Sequence, residues 1–202
     1  MTGDPLGHYF AAEPGVRSAP RTVALHLPDL SLALRTDRGV FASGAVDPGT
    51  KILLLNAPAA PDCGALLDLG SGYGPIALTM AARSPGARVW AIDVNERARS
   101  LCAANAAANG LANVTVVAPD DVPGDVRFSA IWSNPPIRIG KDALHALLTR
   151  WLDRLSDGGS ATLVVQKHLG ADSLARWLRD EGRSTAKIAS RQGYRVLRID
   201  AR

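Results

Sequence analysis

The chain has 202 residues, 47% of them apolar, with 23 lysines and arginines against 19 aspartates and glutamates, a formal charge of +4. An ordinary apolar fraction with so small a net charge excludes disorder over most of the length and suits one domain with a short extension. No stretch approaches the about 18 uninterrupted apolar residues of a membrane span, and the start of the chain lacks a basic region followed by an apolar core, so a cytoplasmic protein is expected.

Residues 1–20 contain Gly3, Pro5, Gly7, Pro14, Gly15 and Pro20, show no period, and predict an irregular arm. Residues 22–27 and 30–35 read as two short strands around Pro28-Asp29, and residues 36–39 form a second turn before Val40-Phe41. Arm and β appendage together take up residues 1–50. From Lys51 onward strands alternate with helices, the signature of a parallel sheet covered on both faces. Strands are expected at 66–67, 88–92, 114–117, 128–132, 161–165, 184–189 and 194–199, and helices at 76–83, 95–109, 143–155 and 173–181. Residues 118–126 show no clear helix. Gly110 marks a helix end, Asp142 is placed to cap the helix after it, Gly158-Gly159 to close that helix, and Gly182 to stop the last one. Only Arg191-Gln192-Gly193 separates the final strands, too little for a parallel crossover, so they should pair as an antiparallel hairpin.

Cys63 and Cys102 are isolated, and His8, His26, His145 and His168 are scattered without helical ligand spacing, so neither a disulfide framework nor a metal site is expected. Charge is uneven: residues 1–137 carry 10 basic and 12 acidic side chains, residues 138–202 carry 13 and 7. A basic C-terminal third suits a polyanion such as RNA; equally, Arg150, Arg154, Arg176, Arg179 and Arg183 would merely solvate outer helix faces.

The first strand of the alternating region runs into Asp68-Leu69-Gly70-Ser71-Gly72-Tyr73-Gly74, with Pro75 starting a helix. Glycines at alternate positions let backbone approach a ligand closely at the carboxyl end of the strands. Such a loop serves a dinucleotide, another adenosine cofactor, or simply a turn. Three details bear on the choice. The spacing is G-x-G-x-G rather than the pyrophosphate-cradling G-x-G-x-x-G. Asp68 would repel a diphosphate but attract the ammonium of a methionine moiety, directly or through water. Asp93 ends the next strand, where the ribose hydroxyls of either cofactor would lie. The first two favour S-adenosylmethionine. Asp120 or Asp121 is placed to accept from an adenine amine, or else is an exposed turn carboxylate.

A fourth strand ends in Ser133-Asn134-Pro135-Pro136-Ile137. The prolines remove donors and fix φ, leaving the Asn134 side-chain oxygen and the Pro135 carbonyl as two acceptors matched to the two N–H bonds of an exocyclic amine. Holding both hydrogens in a dry pocket favours a tetrahedral nitrogen whose lone pair can attack a methyl carbon, with no strong base required.

The Asp68–Gly74 loop, Ile92-Asp93-Val94-Asn95 and Asn134-Pro135-Pro136-Ile137, in this order and spacing, resemble the small-domain class of S-adenosylmethionine-dependent methyltransferases, in particular the catalytic half of the 16S ribosomal RNA guanine-N2 methyltransferases of RsmC type. Gly39-Val40-Phe41, Val46–Thr50, Arg138–Lys141 and Gly193–Val196 also look like these relatives, extending the resemblance over about residues 20–200. It implies a Rossmann-like class I fold, α/β with a seven-stranded mostly parallel sheet, and a methyltransferase domain over residues 51–202. It also implies an S-adenosylmethionine site along Asp68, Gly70, Ser71, Gly72, Tyr73, Gly74, Asp93, Val94, Asn95 and Asn134, catalysis by Asn134, Pro135, Pro136 and Ile137, and rRNA as partner. Arg138, Lys141 and Tyr194 are expected on the substrate side. Many relatives have Tyr or Phe after the second proline, where this chain has Ile137, which offers no aromatic face to a base. Phe41 with Ser43-Gly44 would fold over the cofactor pocket and exclude water, or the appendage would only cover a sheet edge. Protein-glutamine or DNA-adenine N-methylation uses similar N-P-P turns; a dinucleotide-dependent oxidoreductase is the alternative of another class.

Overall fold

The computed structural model describes residues 16–202; most of the expected arm lies outside the described residues. Strands β1 (Arg21–His26) and β2 (Ser31–Thr36) pair antiparallel as a separate two-stranded sheet. In β2 every second residue, Leu32, Leu34 and Thr36, is buried, as a half-covered antiparallel strand requires. The hairpin lies on α3 (Glu96–Ala108) and does not extend the main sheet. Asn105 of α3 fixes it there: its Oδ1 accepts the Arg35 N–H at 2.7 Å, and its Nδ2 donates to the Arg35 and Tyr73 carbonyls, each at 2.8 Å.

A helix absent from the expected elements follows, α1 (Pro48–Asn56). Asp47 caps it by accepting the Thr50 N–H at 2.9 Å, and Pro48 occupies the first turn, where a missing N–H costs nothing. Pro48-Gly49 resembles a turn in sequence, which hides the helix start. Residue 50 therefore falls inside α1, and α1 packs against β7 (Leu155–Gln166) and β9 (Tyr194–Asp200) of the main sheet.

The seven-stranded sheet has the order β5-β4-β3-β6-β7-β9-β8. Its remaining strands are β3 (Ala65–Leu69), β4 (Arg88–Ile92), β5 (Val114–Val117), β6 (Phe128–Ser133) and β8 (Thr185–Arg191). Parallel pairing joins β5 through β7, and β9 is antiparallel to both β7 and β8. Central β3, β4 and β6 are almost continuously buried, as parallel strands covered on both faces must be. Helices α2 (Pro75–Arg83) and α3 complete one apolar layer with α1; α4 (Lys141–Leu152) and α5 (Ala171–Asp180) contribute to the other. The expected final hairpin is present, closed by Gln192 and Gly193 at φ 48° and 81°, the twin positive values that match strand twist in a two-residue turn. The seven-stranded, mostly parallel sheet with its antiparallel final hairpin matches the architecture that the resemblance implies.

Two expected boundaries move. Helix α4 begins at Lys141 after Gly140, so Asp142 sits in its first turn and caps nothing, contributing only its charge toward the helix dipole. It ends at Leu152, and Gly158-Gly159 belongs instead to an irregularity in β7 opposite Phe128–Ala130. Gly158 has φ 71°, and a Cβ on Gly159 would lie 2.9 Å from the Phe128 and Ser156 carbonyl oxygens, so close backbone packing demands glycine there.

Candidate active site

The chain leaves β3 for β4 and β5 on one side, then returns to β6 on the other. That reversal opens a crevice at the carboxyl ends of β3, β4 and β6, where open α/β sheets bind ligands. A cavity of about 390 Å³ lies there. Its walls include Gly70, Gly72, Asp93, Val94 and Asn95 on one side and Asn134, Pro135, Pro136, Ile137 and Arg138 on the other, with Tyr194 and Phe41 also contributing. Two motifs more than 60 positions apart in sequence thus share one chamber.

Gly70, Gly72 and Gly74 have φ of 80°, 54° and 100°, conformations that cost an L side chain free energy. A Cβ at Gly70 or Gly72 would meet no atom of the chain within 4 Å, so both face open space, whereas one at Gly74 would lie 2.6 Å from Leu78 Cδ1 and 2.8 Å from Cys102 Sγ. The first two glycines keep room for a ligand; the third lets the loop pack on α2 and α3. Asp93 secures the loop, accepting the Gly72 N–H at 2.8 Å and the Asn95 N–H at 2.9 Å.

Asp68 is fully buried behind the loop and does not line the cavity. Its Oδ2 accepts the Ala77 N–H in the first turn of α2 at 2.8 Å, and its Oδ1 has no partner. Burial pushes the Asp68 pKa well above the usual carboxylate range and the nearby Asp93 charge adds to this, against the Ala77 hydrogen bond. Burial also raises Asp93, opposed by its backbone hydrogen bonds and Arg99. Asp93 in the wall and Asp68 behind the glycine backbone bring two acidic groups to this end of the cavity, where a cation would favour their ionised forms. Asp68 itself is separated from the cavity by the loop. The backbone space at Gly70 and Gly72, the orphaned Asp68 oxygen and the cavity volume all fit S-adenosylmethionine, whose sulfonium and ammonium are cationic.

Ser71 and Tyr73 turn away from the main chamber. They line an adjoining cavity of about 30 Å³ with Asp47, Thr50 and Asn134, and the buried Ser71 Oγ and Tyr73 hydroxyl lack partners. That is room for about one water. Asp120 and Asp121 lie outside the chamber: the 3-10 turn Pro119–Asp121 leaves both exposed, Asp120 pairs with Arg150 at 2.8 Å, and only Pro119 reaches the cavity wall. Lys141 is exposed at the start of α4 and not part of the wall.

At the Asn134–Ile137 turn, Pro136 has φ −74° and ψ 74° and the Ile137 N–H donates to the Pro135 carbonyl at 2.8 Å, an inverse γ-turn. Pro135 is therefore not wholly unengaged as expected; the tight turn uses one lone pair, fixes the carbonyl direction and leaves the second lone pair. The Asn134 amide is fixed by two residues that the sequence reading left without a role. Its Nδ2 donates to Asp47 Oδ2 at 2.8 Å and to Thr50 Oγ1 at 3.1 Å, so both amide protons are spent and Oδ1 is the atom left to accept. The available signal was Asp47-Pro48, a capping residue before a helix-starting proline. Gln166 is likewise new, lining the cavity and donating to the Tyr194 hydroxyl at 2.7 Å. Phe41 and Ala42 form part of the chamber wall, with Phe41 46% exposed; Ser43 and Gly44 do not reach it.

The basic C-terminal third divides. Arg183 is buried and bonded to Asp153, and Arg154 donates to Val126 and Pro123 carbonyls while lying over the Trp151 and Phe128 rings, so these charges hold the fold together. Arg176 and Arg179 are exposed on α5. Among the described residues no group of three or more His, Cys, Asp or Glu side chains is placed to hold a metal, and no helix is long and apolar enough to cross a membrane.

The Bacillus subtilis (strain 168) protein YbxB is 33% identical over 194 residues, covering 95% of this chain and 96% of that protein. The ribosomal RNA small subunit methyltransferase C of Pseudomonas aeruginosa (strain LESB58) is 34% identical over 174 residues, 79% of this chain and 52% of the relative. The chain spans about half the length of such methyltransferase C relatives. A similar solved structure, at TM-score 0.77 and 25% identity over 94% of this chain and 52% of the other, is the T. thermophilus 16S rRNA N2 methyltransferase RsmC in complex with AdoMet and guanosine. Residues 31–198 match the methyltransferase small domain, and the chain belongs to that family of S-adenosylmethionine-dependent methyltransferases.

Proposed function

We propose that this protein methylates the exocyclic N2 amine of guanine in ribosomal RNA. The observation that carries the reading is the Asn134 amide: with Nδ2 held by Asp47 and Thr50, its oxygen is left to accept, and Asn134 and Pro135 line the same chamber as Gly70, Gly72 and Asp93. The names of two relatives support it, the Pseudomonas aeruginosa small-subunit rRNA methyltransferase C and the T. thermophilus RsmC solved with guanosine.

S-adenosylmethionine, when bound, supplies a methyl carbon made electrophilic by a positive sulfur. Gly70 and Gly72 would hold it against bare backbone, Asp93 would meet its ribose hydroxyls, Val94 and Pro119 would flank the adenine, and Asp68 would favour its positive charge from behind the loop. Asn134 Oδ1 and the Pro135 carbonyl each accept one hydrogen of the guanine amine. This draws the nitrogen out of conjugation with the ring and directs its lone pair into the cofactor side of the chamber, a contribution of orientation and fixed dipoles. The nitrogen loses its surplus proton after transfer, and the open mouth of the cavity passes it to water. Ile137 and Phe41, both in the cavity wall, would supply apolar surface to the base. Arg138, at the rim, and Lys141, one turn further out, are placed to meet RNA phosphates.

Nucleoside mass spectrometry on small-subunit rRNA incubated with the protein and deuterated S-adenosylmethionine tests the proposal. Labelled N2-methylguanosine is the expected product; label on another base, or on protein glutamine alone, refutes it.

A further inference from the structure

Asp47 carries two oxygens with different tasks. Oδ2 accepts the Thr50 N–H at 2.9 Å and Asn134 Nδ2 at 2.8 Å. Oδ1 receives no hydrogen bond from the described residues, and the half-buried side chain lines the chamber beside Asn134. A carboxylate oxygen adjoining the amine grip accepts an N–H and repels a lone pair. Guanine is the common base whose exocyclic amine adjoins a ring N–H, since N1–H lies next to N2. Adenine N6 and cytosine N4 each adjoin a ring nitrogen that presents a lone pair.

We propose that Asp47 is the specificity residue for guanine, accepting the N1–H through Oδ1 while Oδ2 holds Asn134 in its accepting orientation. The inference rests on the reading of the site as a nucleobase N-methyltransferase and adds to it the atom that chooses the base. Phe41 and Ile137 cannot make this choice, because apolar faces do not distinguish a donor from an acceptor.

The discriminating probe is 2-aminopurine, which keeps the 2-amine but has a lone pair at N1. Short uridine-rich RNAs carrying one guanine, one 2-aminopurine or one adenine are compared as methyl acceptors, with wild type and Asp47→Asn. An asparagine can still cap α1 and accept from Asn134 through its oxygen, but offers an NH2 where Oδ1 stood. Wild type is expected to favour guanine over 2-aminopurine by about 10- to 100-fold, the worth of a hydrogen bond to a charged group. In Asp47→Asn that ratio collapses toward unity, while calorimetric affinity for S-adenosylhomocysteine stays within a few fold and shows the variant to be folded. A purely structural Asp47 would slow both substrates alike, and an unchanged ratio in Asp47→Asn overturns the assignment. Preference of the wild type for adenine over guanine overturns it too, while leaving amine methylation standing. Methylation of none of the three bases by the wild type removes the nucleobase reading and this inference with it.

Discussion

Replacing Asp68 by Asn should stabilise the empty protein and weaken its hold on the cofactor. Asp68 is fully buried, one oxygen bonded to the Ala77 N–H at 2.8 Å and the other without a partner. Asparagine keeps the Ala77 hydrogen bond through its own oxygen and removes a charge that burial and Asp93 both disfavour, although its NH2 inherits the unpartnered position. A stranded buried polar group costs about 1–3 kcal/mol, but wild type and variant each strand one atom here, so that cost largely cancels and the removed charge sets the sign; a gain of about 1 kcal/mol would raise Tm by roughly 2–4 °C in a chain of this size. The pH dependence has a definite sign. Because burial raises the folded pKa above that of an ordinary carboxylate, the native state binds more protons than the unfolded state between the two pKa values, and wild-type stability falls as pH rises through that interval. The Asn variant lacks this loss, so its advantage in urea denaturation should be small near pH 4 and grow toward neutrality. Cofactor affinity moves the other way, falling about tenfold or more at neutral pH with loss of the carboxylate charge. In the wild type, binding a cation favours the ionised form, so calorimetry in buffers of different ionisation enthalpy should register proton release, absent in the variant. A variant less stable than wild type at every pH, with undiminished affinity, would refute the reasoning.

Asn134→Ala should lower kcat by at least about 100-fold and leave S-adenosylhomocysteine affinity within a few fold, since the residue works on the amine; parallel losses in both would contradict that role. Gly72→Val should abolish cofactor binding in calorimetry with a stability cost of only about 1–2 kcal/mol from its positive φ, because a side chain there enters empty cavity. Gly74→Ala should show the reverse emphasis, with thermal unfolding revealing a larger loss of about 2–4 kcal/mol as its Cβ meets Leu78 and Cys102 at 2.6 and 2.8 Å. Arg138→Ala combined with Lys141→Ala should weaken RNA binding and flatten the slope of log affinity against log salt by about 1–2, and an unaltered slope would make both residues bystanders.

The fold was legible wherever local chemistry and tertiary packing agree. Near-continuous apolar strands, Gly110, Gly182 and the Gln192-Gly193 turn each point to the structure that forms. Misreadings arose where one residue type serves two purposes. Gly158-Gly159 reads as a helix stop but is needed for close approach to the Phe128 carbonyl across the sheet. No element is expected over residues 48–56, yet α1 starts at Pro48, and Gly49 lies under Tyr194, where a Cβ would approach the ring to 2.6 Å. In the site, the loop glycines and the Asn134–Ile137 turn were legible because their backbone demands are local. Asp47 was not, because its bond to Asn134 spans 87 positions and exists only once α1 lies over β7 and β9. Nor was the outward course of Asp120, which depends on Arg150 of α4.

Two asparagines, Asn95 at the N-cap of α3 and Asn105 within it, tie the glycine loop to the segment that holds Asn134. Asn105 bonds both the Arg35 backbone and the Tyr73 carbonyl of the glycine loop. Asn95, whose N–H is held by Asp93, donates from its Nδ2 to the Gly39 carbonyl at 2.9 Å. From Gly39 the chain runs through Val40, Phe41 and Ala42 over the chamber to Asp47, which grips Asn134. The glycine loop, through Asn105, and Asp93, through Asn95, are thus tied by short hydrogen-bond paths to the stretch that leads to Asp47. A displacement of the glycine loop is passed through Asn105 and Asn95 to that segment, because both asparagines are buried and have no water to exchange partners with. Coupling between two sites is reciprocal, so S-adenosylhomocysteine and the acceptor base are expected to raise each other's affinity by the same factor, which calorimetry with and without the second ligand measures; independent affinities would refute the connection.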